Sequence, residues 1–106
     1  MKPSEILEHK LLLRLVADCA ESERIGYRPS YFRRMIAECG AKGACIQVIM
    51  ARRLPEGFSK LCELGRLDLT AERAVLDGEW RGLFGPAVLQ MARRRLRQFG
   101  RADLIP

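Results

Sequence analysis

Glycine and proline cut this chain into short pieces, and within each piece the apolar residues recur every three or four positions. That period marks amphipathic helices and leaves no alternating run long enough to build a sheet. The first helix is predicted over Ser4 to about Ser22, with Ser4 as its cap and Glu5 and Glu8 in its first turn, where the helix dipole favours acids. Its apolar set (Ile6, Leu7, Leu11, Leu12, Leu13, Leu15, Val16, Cys19) is wider than one stripe. Such a face predicts a central helix, or one whose outer side meets a partner.

Gly26-Tyr27-Arg28-Pro29 then breaks the chain, and Pro29 opens a second helix running to Cys39, closed by Gly40 as a left-handed cap. A third helix is predicted over Lys42 to Arg53, with Pro55 beyond it, and a fourth over Phe58 to Leu64, stopped by Gly65. Leu67-Asp68-Leu69 reads as an extended lead-in to Thr70, which caps a short helix ending near Asp77. Glu79 to Phe84 is rich in turn residues and carries the single tryptophan, Trp80; Gly85-Pro86 and Gly100 bound the last helix. The expected fold is all-α, one compact domain of five to six short helices over residues 1–106.

The net charge of +6 is unevenly placed, with 15 arginines among the 19 basic residues. On a helical wheel the last helix sets Val88, Ala92, Leu96 and Phe99 on one stripe. Arg93, Arg94, Arg97 and Arg101 fall on the other side, and Arg95 lies beside the stripe, where it can pair with an acid at the core edge. Arginine is the planar, bidentate partner of phosphate and carboxylate, so a basic face of this kind predicts an acidic partner.

Four cysteines, Cys19, Cys39, Cys45 and Cys62, are separated by 20, 6 and 17 residues, without the paired spacing of a zinc site. Each falls on an apolar stripe and reads as a small buried hydrophobe; no metal and no cofactor are expected. The single histidine, His9, has no acid or nucleophile set about it, and no phosphate-cradling loop is present, so an enzyme acting on a small-molecule substrate is not expected. No apolar run approaches the 18 or more residues of a spanning helix, and the first residues do not read as a signal peptide, which predicts a cytoplasmic protein without membrane contact.

The stretch Gly57-Phe58-Ser59-Lys60-Leu61-Cys62-Glu63-Leu64-Gly65-Arg66-Leu67-Asp68-Leu69-Thr70, continued by Glu72 and Val75-Leu76, resembles an uncharacterised bacterial all-helical domain family. That family has a G-F-x-x-L-W-E-x-G-R-L-D-L-T-x-E-x-x-V-L core and no established activity. Gly26-Tyr27-Arg28-Pro29-x-x-Phe32 upstream and Trp80-Arg81-Gly82-Leu83-Phe84 downstream are similar to its flanking segments. The resemblance spans residues 26–100, leaving 1–25 as an added N-terminal helix and 101–106 as a tail. Cys62 replaces the family's tryptophan, and the third helix, Ala44 to Met50, is more apolar than the family pattern. Within the shared core, Gly65, Arg66, Asp68 and Thr70 read as a structural motif: Gly65 ends one helix, Thr70 starts the next, and Arg66 and Asp68 brace the connection.

Residues 32–53 have the outline of a helix-turn-helix, but Ile36 is bulky where a close crossing needs a small residue, and the basic residues Arg52 and Arg53 come at the wrong end for base reading. The expected function is therefore a small non-enzymatic interaction protein. Its basic helix face (Arg93, Arg94, Arg97, Arg101) would dock on an acidic protein surface, with Tyr27, Tyr31, Trp80, Ile46 or Met50 as apolar anchors. Its size would suit a phage or mobile-element regulator or inhibitor of a host complex. The alternatives are a nucleic-acid-binding domain using the same arginines, and an architectural homodimer formed through the first helix.

Overall fold

A computed structural model describes all 106 residues. It contains five α-helices, three 3-10 turns and no strand, in an all-α single domain. The helices are α1 (Pro3–Arg24), α2 (Ser30–Ile49), α3 (Glu56–Glu63), α4 (Ala71–Val75) and α5 (Pro86–Gln98). No helix is long and apolar enough to cross a membrane.

Helix α1 begins one residue earlier than Ser4, because Pro3 occupies the first turn and Lys2 becomes the cap. Its inner side, Leu11, Leu15, Cys19 and Ser22, is buried against α2 and α4. The core continues through Cys45, Val48 and Ile49 of α2, Phe58 and Leu61 of α3, Leu67, Val75 and Leu76, and Val88, Ala92 and Leu96 of α5. The outer side of α1 leaves Ile6, Leu13 and Val16 in solvent, Leu13 at 58 % exposure.

The second and third helices predicted from the sequence are one element broken at Gly40. This glycine does not take the left-handed cap geometry; it sits at φ 77°, ψ 172°, extended backbone of positive φ that is essentially confined to glycine. The second segment starts at once, and Glu8 of α1 supplies its cap: its Oε1 accepts from the Lys42 amide at 3.3 Å. The segment ends at Ile49 rather than Arg53, because Arg95 of α5 reaches the carbonyls of Val48 (3.0 Å) and Ala51 (3.2 Å) where the chain leaves the helix.

Leu67–Leu69 is a 3-10 turn, not an extended lead-in. The Leu67 carbonyl draws the turn closed by accepting from both the Thr70 amide (3.2 Å) and the Thr70 hydroxyl (2.7 Å), while the same hydroxyl oxygen accepts from the Arg73 amide and caps α4. Gly65, at φ 70°, ends α3.

Ion pairs lash α1 to the segments beneath it. Lys10 meets Glu79 at 2.7 Å, and Arg14 meets both Asp18 and Asp77. Glu21 accepts two bonds from Arg24 (2.6 and 2.7 Å) and one from Arg66 (3.1 Å); Arg66 also grips Asp68 with two bonds of 3.0 and 3.2 Å. The arginines, Arg24 first and Arg66 second, hold the Glu21 carboxyl down at about 2, from an ordinary 4.5. A depressed carboxyl stabilises the fold above its unfolded value and loses that effect as pH falls through the folded one. Glu21→Gln should therefore melt below the parent near neutral pH, and the two melting curves should converge between pH 4.5 and about 2. A gap that persists unchanged at pH 2 would remove the charge from the account.

Candidate functional site: a basic groove beside the last helix

The structure separates the arginines that the wheel of α5 grouped together. Arg95 is buried, with Nη1 2.7 Å from Glu72 Oε2, and both side chains are almost fully enclosed. Burial pushes the Glu72 carboxyl up, and the Arg95 contact opposes that shift. Arg95 thereby joins α5 to α4 and to the end of α2. Arg101 is held by Asp103 through bonds of 3.0 and 3.2 Å. Arg93 is half-buried and does not line the basic groove.

Arg94 and Arg97 are exposed and make no ion pair, and they share an open groove of about 780 Å³ with Arg52. Arg95 ties the chain leaving α2 to α5 through the Val48 and Ala51 carbonyls, and Arg52, just beyond Ala51, lines the same groove as Arg94. Leu54, Met91 and Phe99 supply its apolar lining. Phe99 was expected on the core stripe; it falls just past the end of α5, where it is 37 % exposed and packs edge-on against Phe58 with ring centres 5.1 Å apart. No acid braces this groove from the neighbouring elements. Glu72 goes to Arg95, Asp77 to Arg14 and Arg73, and Glu79 to Lys10.

The expected apolar anchors lie elsewhere and do not join the arginines. Trp80 is half-buried and donates its indole N–H to the Ala74 carbonyl at 2.7 Å, so it secures the turn after α4. Tyr27 is half-buried beside Gly57. Tyr31 is exposed, with the Arg34 guanidinium 5.6 Å from its ring centre. Ile46 is half-buried, and Met50 is exposed. Cys19 and Cys45 are buried and Cys62 is half-buried, whereas Cys39, expected to be buried on its apolar stripe, is exposed in the last turn before the break at Gly40.

Arg52, Leu54, Met91 and Phe99 are residues of the groove that the sequence did not nominate for it. Arg52 sits 42 positions from Arg94, and the packing of α2 on α5 together with the contacts of Arg95 brings them to one groove. No family model, curated protein or solved structure matches this chain.

Proposed function

We propose that this domain is a non-enzymatic interaction module whose basic groove docks on an acidic segment of a protein partner. The observation that carries this reading is the set of three unpaired arginines, Arg52, Arg94 and Arg97, around the apolar lining of Leu54, Met91 and Phe99. A segment with several carboxylates and one large apolar side chain would satisfy both parts at once: the guanidinium groups bind carboxylate in fork geometry, and the apolar side chain buries Phe99 and Met91. A nucleic-acid backbone would meet the arginines and leave the apolar lining without an occupant, which is why a protein segment is favoured. As a regulator or inhibitor, the domain would act by occupying that segment on its target.

Fluorescence anisotropy with a labelled acidic peptide containing leucine and phenylalanine tests this. Arg94→Glu with Arg97→Glu should keep the parent melting temperature and weaken peptide binding at least ~10-fold, which is ~1.4 kcal/mol. Unchanged binding would remove the groove from the function. A duplex DNA probe that binds more tightly than the peptide, with a log–log salt slope near ~−3 for three phosphate contacts, would transfer the groove to nucleic acid.

A further inference from the structure

A second cavity, of about 440 Å³, lies among the C-terminal half of α1, the start of α2, α3 and the Leu69–Glu72 segment. It shares no lining residue with the basic groove. Its volume falls in the range of small-molecule sites. Tyr27, Tyr31, Phe32 and Phe58 all line it, four of the seven aromatic residues of the chain. Tyr27 reaches across to α3 over Gly57, where even a Cβ would come within 2.7 Å of the phenol oxygen.

Among the residues that line the cavity, three carboxylates face one arginine. Asp18, Glu56 and Glu72 stand against Arg28 at the rim, and the Arg34 guanidinium already lies 5.6 Å from the centre of the Tyr31 ring. Asp18 and Glu72 each engage an arginine through a single oxygen, Arg14 Nε on Asp18 Oδ2 at 3.0 Å and Arg95 Nη1 on Glu72 Oε2 at 2.7 Å. The second oxygen of each accepts no side-chain donor. Glu56, at the mouth, pairs with no base. Burial raises both inner carboxyls in spite of their arginines, so a further positive charge nearby would relieve a cost the fold already bears.

Glu56, the one lining carboxylate without a counter-charge, favours a cation over an anion. No group of three His, Cys, Asp or Glu side chains is placed to hold a metal ion. Aromatic faces attract weakly hydrated cations, and clustered aromatic rings are the general means of holding a quaternary ammonium group. We propose that this cavity binds a small alkylammonium cation, with its charge held between the aromatic rings and the Asp18 and Glu56 carboxylates. The cavity is separate from the groove, and the two share a wall in which Phe58 packs on Phe99 and Glu72 accepts from Arg95.

The test is an NMR titration of the full chain, following backbone amides, with choline and with 3,3-dimethylbutan-1-ol. The two probes share a shape, but the alcohol has carbon in place of the charged nitrogen. Choline should shift the amides of Tyr27, Tyr31 and Gly57 and bind at least about tenfold more tightly than the alcohol, within the range expected of a cation over aromatic faces. Equal or tighter binding of the alcohol would overturn the proposal, as would no response to tens of millimolar choline. Tyr31→Ala and Glu56→Gln change exposed rim residues and leave the core untouched. With melting temperatures unchanged, each should weaken choline roughly 3- to 10-fold; parent affinity in both variants would equally overturn it.

Discussion

Arg95→Met should destabilise the domain by about 3–5 kcal/mol, the usual cost of removing one member of a buried ion pair. For a domain of this size that is a fall in melting temperature of at least ~12 °C. Three acceptors lose their donor together: Glu72 Oε2, the Val48 carbonyl and the Ala51 carbonyl. Glu72 is left as a buried carboxylate with no counter-charge. The sign of the pH effect follows from that. A carboxyl whose folded pKa is raised gives a stability contribution that is complete below its unfolded value and is lost as pH rises through the folded one. The variant's deficit should therefore shrink as the solution is acidified from neutrality. Pairing it with Glu72→Met should recover most of the loss, since an apolar pair of similar volume replaces buried ions at little cost. Arg95→Lys should not rescue, because one ammonium nitrogen cannot reach three oxygens on two neighbouring helices. Urea midpoints of the single and double variants, measured near pH 5 and 7, check each step. A single variant with parent stability would mean that Arg95 does not hold α2, α4 and α5 together.

Gly40→Ala should cost about 1–3 kcal/mol from its backbone conformation alone. Positive φ combined with extended ψ places a Cβ against the backbone, and only glycine adopts it freely. The space outside is also occupied: an added Cβ would stand 3.2 Å from Glu8 Oε1, the oxygen that accepts from the Lys42 amide. The substitution thus strains the backbone and disturbs a helix cap from a single site, and the two costs act in the same direction. Gly82→Ala is the control, since its Cβ would meet open space and its φ is not positive. Thermal melts should show a large loss for the first and little change for the second. Equal melting temperatures would mean that α2 runs through residue 40 without the break.

The parts of this fold that were legible in the sequence are those made by near neighbours. Pro86 and Gly100 bound α5 by local backbone restriction, and Thr70 caps α4 within three residues. What could not be read was made across the chain. Glu8 belongs to the first turns of α1 in sequence, but its oxygen caps a segment 34 residues later. Arg95 lay close enough to the apolar stripe to point to an acid at the core edge, and nothing local indicates that it also takes the carbonyls of Val48 and Ala51. Alternation in Leu67-Asp68-Leu69 imitates a strand, because Leu67 is buried and Leu69 half-buried in a 3-10 turn too. The groove was half visible: Arg94 and Arg97 stood out on the wheel, whereas Arg52 depends on the path of the chain after α2. The aromatic cavity was not visible at all, since its walls come from well-separated stretches of the chain, each unremarkable alone.

The break at Gly40 gives the two halves of α2 unequal holds on the rest of the protein. Beyond the break, Ala41, Ala44, Cys45, Val48 and Ile49 are buried; before it, Met35 alone is, with Phe32 and Ile36 half-buried. A segment that buries little can detach locally at a fraction of the cost of global unfolding. Tyr31 and Phe32, one wall of the aromatic cavity, ride on that weaker half. Backbone amides of residues 31–36 should therefore exchange with solvent faster than those of residues 44–49, because the two halves bury unequal areas.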